Sequence, residues 1–106
     1  MWQVEVMQKE QKELFFVITK DGITWDLTGA VFTLKIYDDI DTLKITKNDG
    51  DFTKTYISIG KVSVQLTDAN LDLNVDPYYG ELKIVLGSLI DKTVKFILRV
   101  ERVLGG

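Results

Sequence analysis

The chain has 106 residues, of which 45% are apolar and 27% charged, and its formal net charge is -3. A single domain spanning residues 1–106 is expected, because domains typically hold about 100 to 150 residues. The chain contains no cysteine and no histidine. This composition excludes thiol nucleophiles, Cys/His zinc sites, Ser-His-Asp triads and histidine acid–base chemistry.

The first part of the chain predicts two strands. Residues 1–12 form an N-terminal arm or a hairpin strand, in which Trp2, Val4 and Val6 alternate with polar residues. Residues 14–18 are apolar on both faces, whereas a strand at the surface of a sandwich needs only one apolar face. Two compatible interpretations follow: the arm shields the second face, or that face binds a second subunit or a partner.

Four later runs show the period-two alternation of half-buried strands. They cover residues 30–37, 60–66, 80–86 and 94–100, and shorter strands are expected near 43–45 and 56–59. Turn-forming residues separate these runs. The inward positions of the runs predict the core, which consists of Phe32, Leu34, Ile36, Val62, Val64, Leu66, Leu82, Ile84, Phe96, Leu98 and Val100.

One segment between the strands has helical character. Residues 67–71 resemble a helix start, with Thr67 placed to cap a single turn. A longer helix would have to end before Pro77, whose ring interrupts a helical hydrogen-bond ladder. Strands at this spacing, without helices between them, favour an antiparallel β-sandwich. We predict an all-β sandwich of about seven or eight strands with one short helical turn.

Acidic residues cluster at 38–41 and 48–51, where paired carboxylates would suit calcium or acid–base chemistry. The spacing of a calcium loop fails, because Ile45 stands five residues before Gly50, where an acidic ligand is needed. Acidic and amide residues are ordinary turn formers. No P-loop or GxGxxG motif occurs. We therefore predict no catalytic residue, no metal and no cofactor, and a hydrolase using carboxylates alone ranks last among the hypotheses.

Basic residues are interleaved with acidic ones along the chain, so no basic stripe is available for nucleic acid. No apolar run approaches the roughly 20 residues that are needed to cross a membrane. We expect neither nucleic-acid binding nor membrane insertion.

Several segments, read in order, resemble one known family. Residues 23–36 are similar to the opening run of phage baseplate upper protein N-terminal domains, and residues 60–67 (GKVSVQLT) to that family's GxVxφxLT strand. Residues 77–84 (PYYGELKI) look like its tyrosine-containing strand, and residues 94–100 like its closing strand. The resemblance spans about residues 15–103. It implies an immunoglobulin-like β-sandwich with a structural role in a phage tail, baseplate or fibre.

The resemblance and the two-faced strand together predict docking on other virion proteins or on the chain itself, as a dimer or trimer. The candidate partner-binding residues are Trp2, Phe15, Val17, Ile97 and Val103. The start of the chain lacks the basic region and apolar stretch of a signal peptide. We therefore expect synthesis in the host cytoplasm and, if the protein is phage-derived, a place in the virion.

The alternative function is a carbohydrate-binding or adhesion module. Its ligand-stacking residues would be Trp25, Tyr78 and Tyr79, since sandwich lectins stack sugars on aromatic rings. The competing interpretation is that Trp25 fills one end of the core and the tyrosines pack at a strand start.

Overall fold

The computed structural model describes residues 2–71, 73–74, 77–88 and 90–101, and of Trp2 only the backbone. The chain is all-β, as predicted. Its strands are β1 Trp2–Met7, β2 Lys12–Val17, β3 Thr19–Lys20, β4 Ile23–Thr24, β5 Val31–Tyr37, β6 Leu43–Lys47, β7 Phe52–Thr53, β8 Lys61–Leu66, β9 Pro77–Leu86 and β10 Ile90–Glu101. Among the described residues, two segments form 3-10 helices, Asp49–Asp51 and Ile57–Ile59.

Eight of these strands build two sheets around one core. The larger sheet has the order β1-β10-β9-β5-β6 and the smaller sheet the order β2-β8-β7, while β3 and β4 form a separate ribbon. In an immunoglobulin domain, strands C, F and G share one sheet, with C′ added in variable types, and strands B, E and D share the other. The two sheets here follow that order, with β2 as strand B and β10 as strand G. The fold is an immunoglobulin-like β-sandwich, as predicted.

The core lies between the two sheets and consists of the residues that the alternation assigned to it. All eleven predicted core residues are buried, together with side chains from β2 and from the loops. On β2, Leu14 and Phe16 point into the core, as does Ile18 just beyond the strand, whereas Phe15 and Val17 point to solvent. Of the two apolar faces of residues 14–18, the one formed by Phe15 and Val17 is therefore exposed to solvent.

The hairpin interpretation of residues 1–12 is wrong. β1 runs parallel to β10, with Trp2 opposite Phe96, and therefore belongs to the other sheet from β2. The connection after β1 does not close a tight hairpin. The amide N–H of Gln8 donates to the Glu101 carbonyl at 2.9 Å, and that of Lys9 to the Leu71 carbonyl at 2.8 Å. These bonds hold the segment between β1 and β2 against the end of the sandwich.

The strand expected at residues 56–59 is a 3-10 turn instead. Gly60 ends this turn with φ of 76°, a conformation that L side chains rarely adopt. A Cβ at Gly60 would also overlap the carbonyl oxygen of Ile18. The run from Gly60 is therefore a strand only from Lys61 onward.

The helical turn at residues 67–71 is confirmed. The Leu71 N–H donates to the Thr67 carbonyl at 3.1 Å, and the Thr67 hydroxyl accepts from the Asn70 N–H at 3.2 Å. The expected strand near residue 43 is confirmed as β6.

A buried tyrosine fixes the loop that precedes β9. The Tyr78 hydroxyl donates to the Asn74 carbonyl at 3.0 Å, which is the arrangement of the tyrosine corner at the start of strand F in immunoglobulin domains. In antibody domains a disulfide cysteine stands two residues after this tyrosine. Here that position is Gly80, and the rings of Phe16 and Phe96 meet edge-to-face at 5.7 Å between the sheets. Aromatic packing joins β2 to β10 in this chain.

Candidate docking surfaces

The outer face of β2 carries two large apolar side chains in solvent. Phe15 is 66% exposed and Val17 is 59% exposed. Beside them on β8 stand Ser63, opposite Phe15, and Lys61, opposite Val17. The Ser63 hydroxyl donates to the Glu13 carboxylate at 2.8 Å, so this polar pair flanks the apolar pair and leaves it uncovered.

The backbone of β2 is open on one side. β2 pairs with β8 and stands at the edge of its sheet in the part of the chain that the structure describes. The Ile18 N–H donates to the Gly60 carbonyl at 2.8 Å. Because the residues of an antiparallel pair alternate between bonded and non-bonded positions, even-numbered residues of β2 bond to β8. The N–H and C=O groups of Glu13, Phe15 and Val17 therefore face the open edge.

A groove of about 400 Å³ runs beside this edge and is lined by Phe15, Phe16, Val17, Ile18 and Val94. Val94 comes from the first half of β10. β1 pairs with β10 only from Phe96 onward, so it does not reach the part of β10 that lines the groove. The groove therefore lies between the two sheets, beside the part of β10 that does not pair with β1.

The other sheet edges have features that discourage pairing. β6 carries Lys44 and Lys47, and β7 has two residues. β1 places Gln3 and Glu5 on its exposed side. Short strands and charged side chains are the usual protection of edges. In β2 the segment after Glu13 has neither a charge nor a proline, so among the described edges β2 is the least protected.

A second apolar feature crosses the outer face of the larger sheet. The strand registers place Ile97 opposite Tyr79, Tyr79 opposite Tyr37 and Tyr37 opposite Leu43. Tyr79 is 42% exposed. Cross-strand neighbours on one face lie about 5 Å apart at Cβ. We call these four residues the aromatic row.

The structure separates the predicted partner-binding residues. Phe15 and Val17 lie on the outer face of the smaller sheet, whereas Ile97 lies on the outer face of the larger sheet. The backbone of Trp2 is in β1, and Val103 lies outside the described residues. Phe15 and Val17 therefore lie on a different surface from Ile97, on the opposite side of the sandwich.

Sequence reasoning missed Val94 in the groove and Tyr37 and Leu43 in the aromatic row. Alternation along β5 already placed Tyr37 outward. The row could not be predicted because it depends on the pairing of β5 with β9 and β6, and the pattern of one strand does not indicate its neighbours.

The three predicted ligand-stacking residues do not form one site. Tyr78 is 3% exposed and its hydroxyl is bonded within the tyrosine corner, so its assignment as a stacking residue is wrong. Trp25 is half-buried, with the Nζ atoms of Lys20 and Lys92 at 5.3 and 5.7 Å from its ring centroid. Lys92 is five positions before Ile97 on β10, a separation of about 17 Å along a strand. Trp25 and the exposed Tyr79 therefore lie at different ends of the sheet.

The acidic clusters form turns, as predicted. The Asp38 carboxylate accepts from the N–H groups of Ile40 and Thr42, and that of Asp51 from Asn48. Asp49 accepts from the Lys54 ammonium at 2.6 Å and from the Phe32 N–H at 2.9 Å. These two donors hold the pKa of Asp49 below its usual value. Hydrogen bonds from the hydroxyl and N–H of Thr28 likewise lower the pKa of Asp26.

The described residues contain no group of three or more acidic, histidine or cysteine side chains suited to hold a metal ion. Within them, no helix has the length and apolar character needed to span a membrane.

No protein-family model and no curated protein sequence matches this chain. Among solved structures it is similar to murine CRIg, with 13% identity, 95% of this chain and 92% of that chain covered, and a TM-score of 0.46. It is also similar to the extracellular domain of the voltage-gated sodium channel β4 subunit, with 9% identity, 96% and 92% covered, and a TM-score of 0.44. The β4 domains form parallel homodimers that explain that protein's role in cell–cell adhesion.

A third similar structure is a candidate glycoside hydrolase from Bacteroides vulgatus ATCC 8482, with 11% identity and a TM-score of 0.47. The match covers 92% of this chain but 16% of that protein, so the chain spans a small part of its length. At these identities and scores, none of the three likenesses carries an argument about function.

Proposed function

We propose that this protein is a non-enzymatic assembly domain of the phage virion type, which acts by protein–protein docking through the outer side of β2. The observation that carries the proposal is the exposure of Phe15 and Val17 side by side on the least protected of the described sheet edges. Exposed apolar patches beside polar residues mark interaction sites in soluble proteins.

The magnitudes favour an association of modest strength. Burying a large apolar side chain fully stabilises a complex by about 1.5 to 3 kcal/mol. When two copies meet through the same surface, Phe15 and Val17 of both are covered, and the contribution doubles. Association costs of about 4 to 15 kcal/mol oppose it. We therefore expect a dimer that dissociates on dilution.

The virion role is supported by the family resemblance of residues 15–103 and by the immunoglobulin-like fold that the resemblance implied. Neighbouring genes test this part of the proposal. Tail, tape-measure or fibre genes beside this one would support a virion role, and a polysaccharide-utilisation cluster would contradict it.

The docking surface is tested by light scattering on the eluate of a sizing column. The variant Phe15→Ser/Val17→Ser should elute as a monomer where the natural protein is a dimer. The matched control is Val31→Ser/Ile40→Ser, which removes two similarly exposed apolar side chains, one on β5 of the larger sheet and one between β5 and β6, and should leave the dimer intact. Equal masses for all three proteins would contradict docking through β2.

A second candidate function is an adhesion module that binds its ligand on the aromatic row. Two tyrosines side by side across β5 and β9 favour it, because tyrosine is enriched among residues that dominate binding. Polar residues border the row, with Lys35, Glu81 and Lys95 on one side. A glycan array tests this function. Binding that is lost in Tyr37→Ala/Tyr79→Ala would support it, and an array without binding would contradict a carbohydrate ligand.

A further inference from the structure

We infer that the open edge of β2 pairs, antiparallel, with β2 of a second copy. The two smaller sheets would then join into one six-stranded sheet of order β7-β8-β2-β2-β8-β7. This inference rests on the proposed function and specifies its contact, since side-chain docking alone would leave the edge backbone unpaired.

The backbone of β2 supplies the donors and acceptors for such a contact. Glu13, Phe15 and Val17 each turn an N–H and a C=O away from β8. An exposed edge of this kind is a template for another strand. In an antiparallel pair, residues that bond to each other exchange both of these groups. The odd-numbered residues of one copy must therefore lie opposite odd-numbered residues of the other.

One register pairs these three residues among themselves. It places Phe15 opposite Phe15 of the second copy and Glu13 opposite Val17, and it forms six backbone hydrogen bonds. A shift of two residues in either direction would bring in Gln11 or Thr19, which lie outside β2. The register centred on Phe15 is therefore the one that uses the whole strand.

The side chains fit the same register. Residues directly opposite each other point to the same face of a sheet, so the two Phe15 rings meet on the outer face. Lys12 lies opposite Ile18, and Glu13 opposite Val17, so no like charges face each other. The second strand would also lie along the groove lined by Val17 and Val94. A second copy of this chain thus matches the edge in hydrogen bonds, apolar surface and charge.

Amide hydrogen exchange, followed residue by residue by NMR at several protein concentrations, tests the backbone contact. In the monomer the N–H groups of Phe15 and Val17 face solvent and should exchange fast. In the dimer their exchange should slow by about tenfold or more. The N–H of Leu14, which faces β8 in either state, is the internal control. A dimer in which Phe15 and Val17 stay unprotected would overturn edge pairing but leave docking intact, whereas a monomer at every concentration would overturn both.

The register is tested with one spin label per chain, since the sequence contains no cysteine. Thr53 is exposed on β7 and lies opposite Ser63, which lies opposite Phe15. In the inferred dimer a single row runs from Thr53 of one copy to Thr53 of the other across five strand spacings. Thr53→Cys labels should therefore lie about 24 Å apart at the backbone. Label separations too long for this row would overturn the inferred contact.

Discussion

Gly80 lies directly opposite Phe96 in the antiparallel pair of β9 and β10, and the Phe96 ring occupies the space that a side chain at Gly80 would fill. A Cβ built on Gly80 would overlap three carbon atoms of that ring. The ring in turn contacts Phe16 on the smaller sheet. A glycine in the middle of a strand thus lets one aromatic side chain reach across the core.

Gly80→Ala should therefore destabilise the protein. Overpacking a well-filled core costs about 1 to 3 kcal/mol, and Phe96→Ala should cost about 3 to 5 kcal/mol through the lost ring. The two changes should not add, because the alanine at position 80 has room once the ring is gone. Urea unfolding of both single variants and the double variant measures this coupling. Additive losses of stability would show that the packing of the Phe96 ring does not depend on the absence of a side chain at Gly80.

The tyrosine corner gives a second prediction. Tyr78→Phe removes the hydroxyl that donates to the Asn74 carbonyl and should lower the free energy of unfolding by about 0.5 to 1.5 kcal/mol. Tyr79→Phe is the matched control, because it removes an exposed hydroxyl on the neighbouring residue and should change stability by less than about 0.5 kcal/mol. Equal effects in the two variants would argue against a stabilising corner.

The bond between Asp49 and Lys54 predicts a pH dependence. The folded state lowers the pKa of Asp49, so this carboxylate stabilises the fold fully above its unfolded pKa of about 3.9. That contribution is lost as the pH falls through the folded pKa. Asp49→Asn should therefore be less stable than the natural protein at neutral pH, and the difference should shrink in acid. A difference that is the same at both pH values would contradict a role for the charge.

Calcium should have no effect on stability. One carboxylate in each acidic cluster is engaged as a hydrogen-bond acceptor within its own turn: Asp38 accepts from the Thr42 N–H and Asp51 from the Asn48 N–H. Thermal unfolding with calcium and with excess chelator should give the same midpoint. A midpoint raised by several degrees in calcium would show that the turns bind the ion.

Local patterns in the sequence were enough to predict the fold class and the core. Alternation placed Phe32, Leu34 and Phe96 inside, because a strand with one buried face repeats every two residues. Local patterns did not reveal the partner of β1, since its pairing with β10 joins residues far apart in the chain, such as Met7 and Glu101. The turn at Ile57–Ile59 was missed because its apolar residues resemble those of a strand. The need for glycine at position 60 arises from its positive φ and from the nearby Ile18 carbonyl, which the local sequence does not show.

The candidate docking surface was predictable only in part, because local patterns do not show which strands pair. The two apolar faces of residues 14–18 identified Phe15 and Val17, but their orientation depended on the pairing of β2 with β8. The open edge follows from sheet order, which no single strand encodes.

Sedimentation equilibrium of the natural protein from micromolar to millimolar concentration is the decisive measurement for docking through β2. Such docking predicts an apparent mass that rises with concentration from the 12.1 kDa of one chain to twice that value, and a Phe15→Ser/Val17→Ser variant that stays at the mass of one chain. A natural protein that sediments as a single chain at every concentration would contradict it.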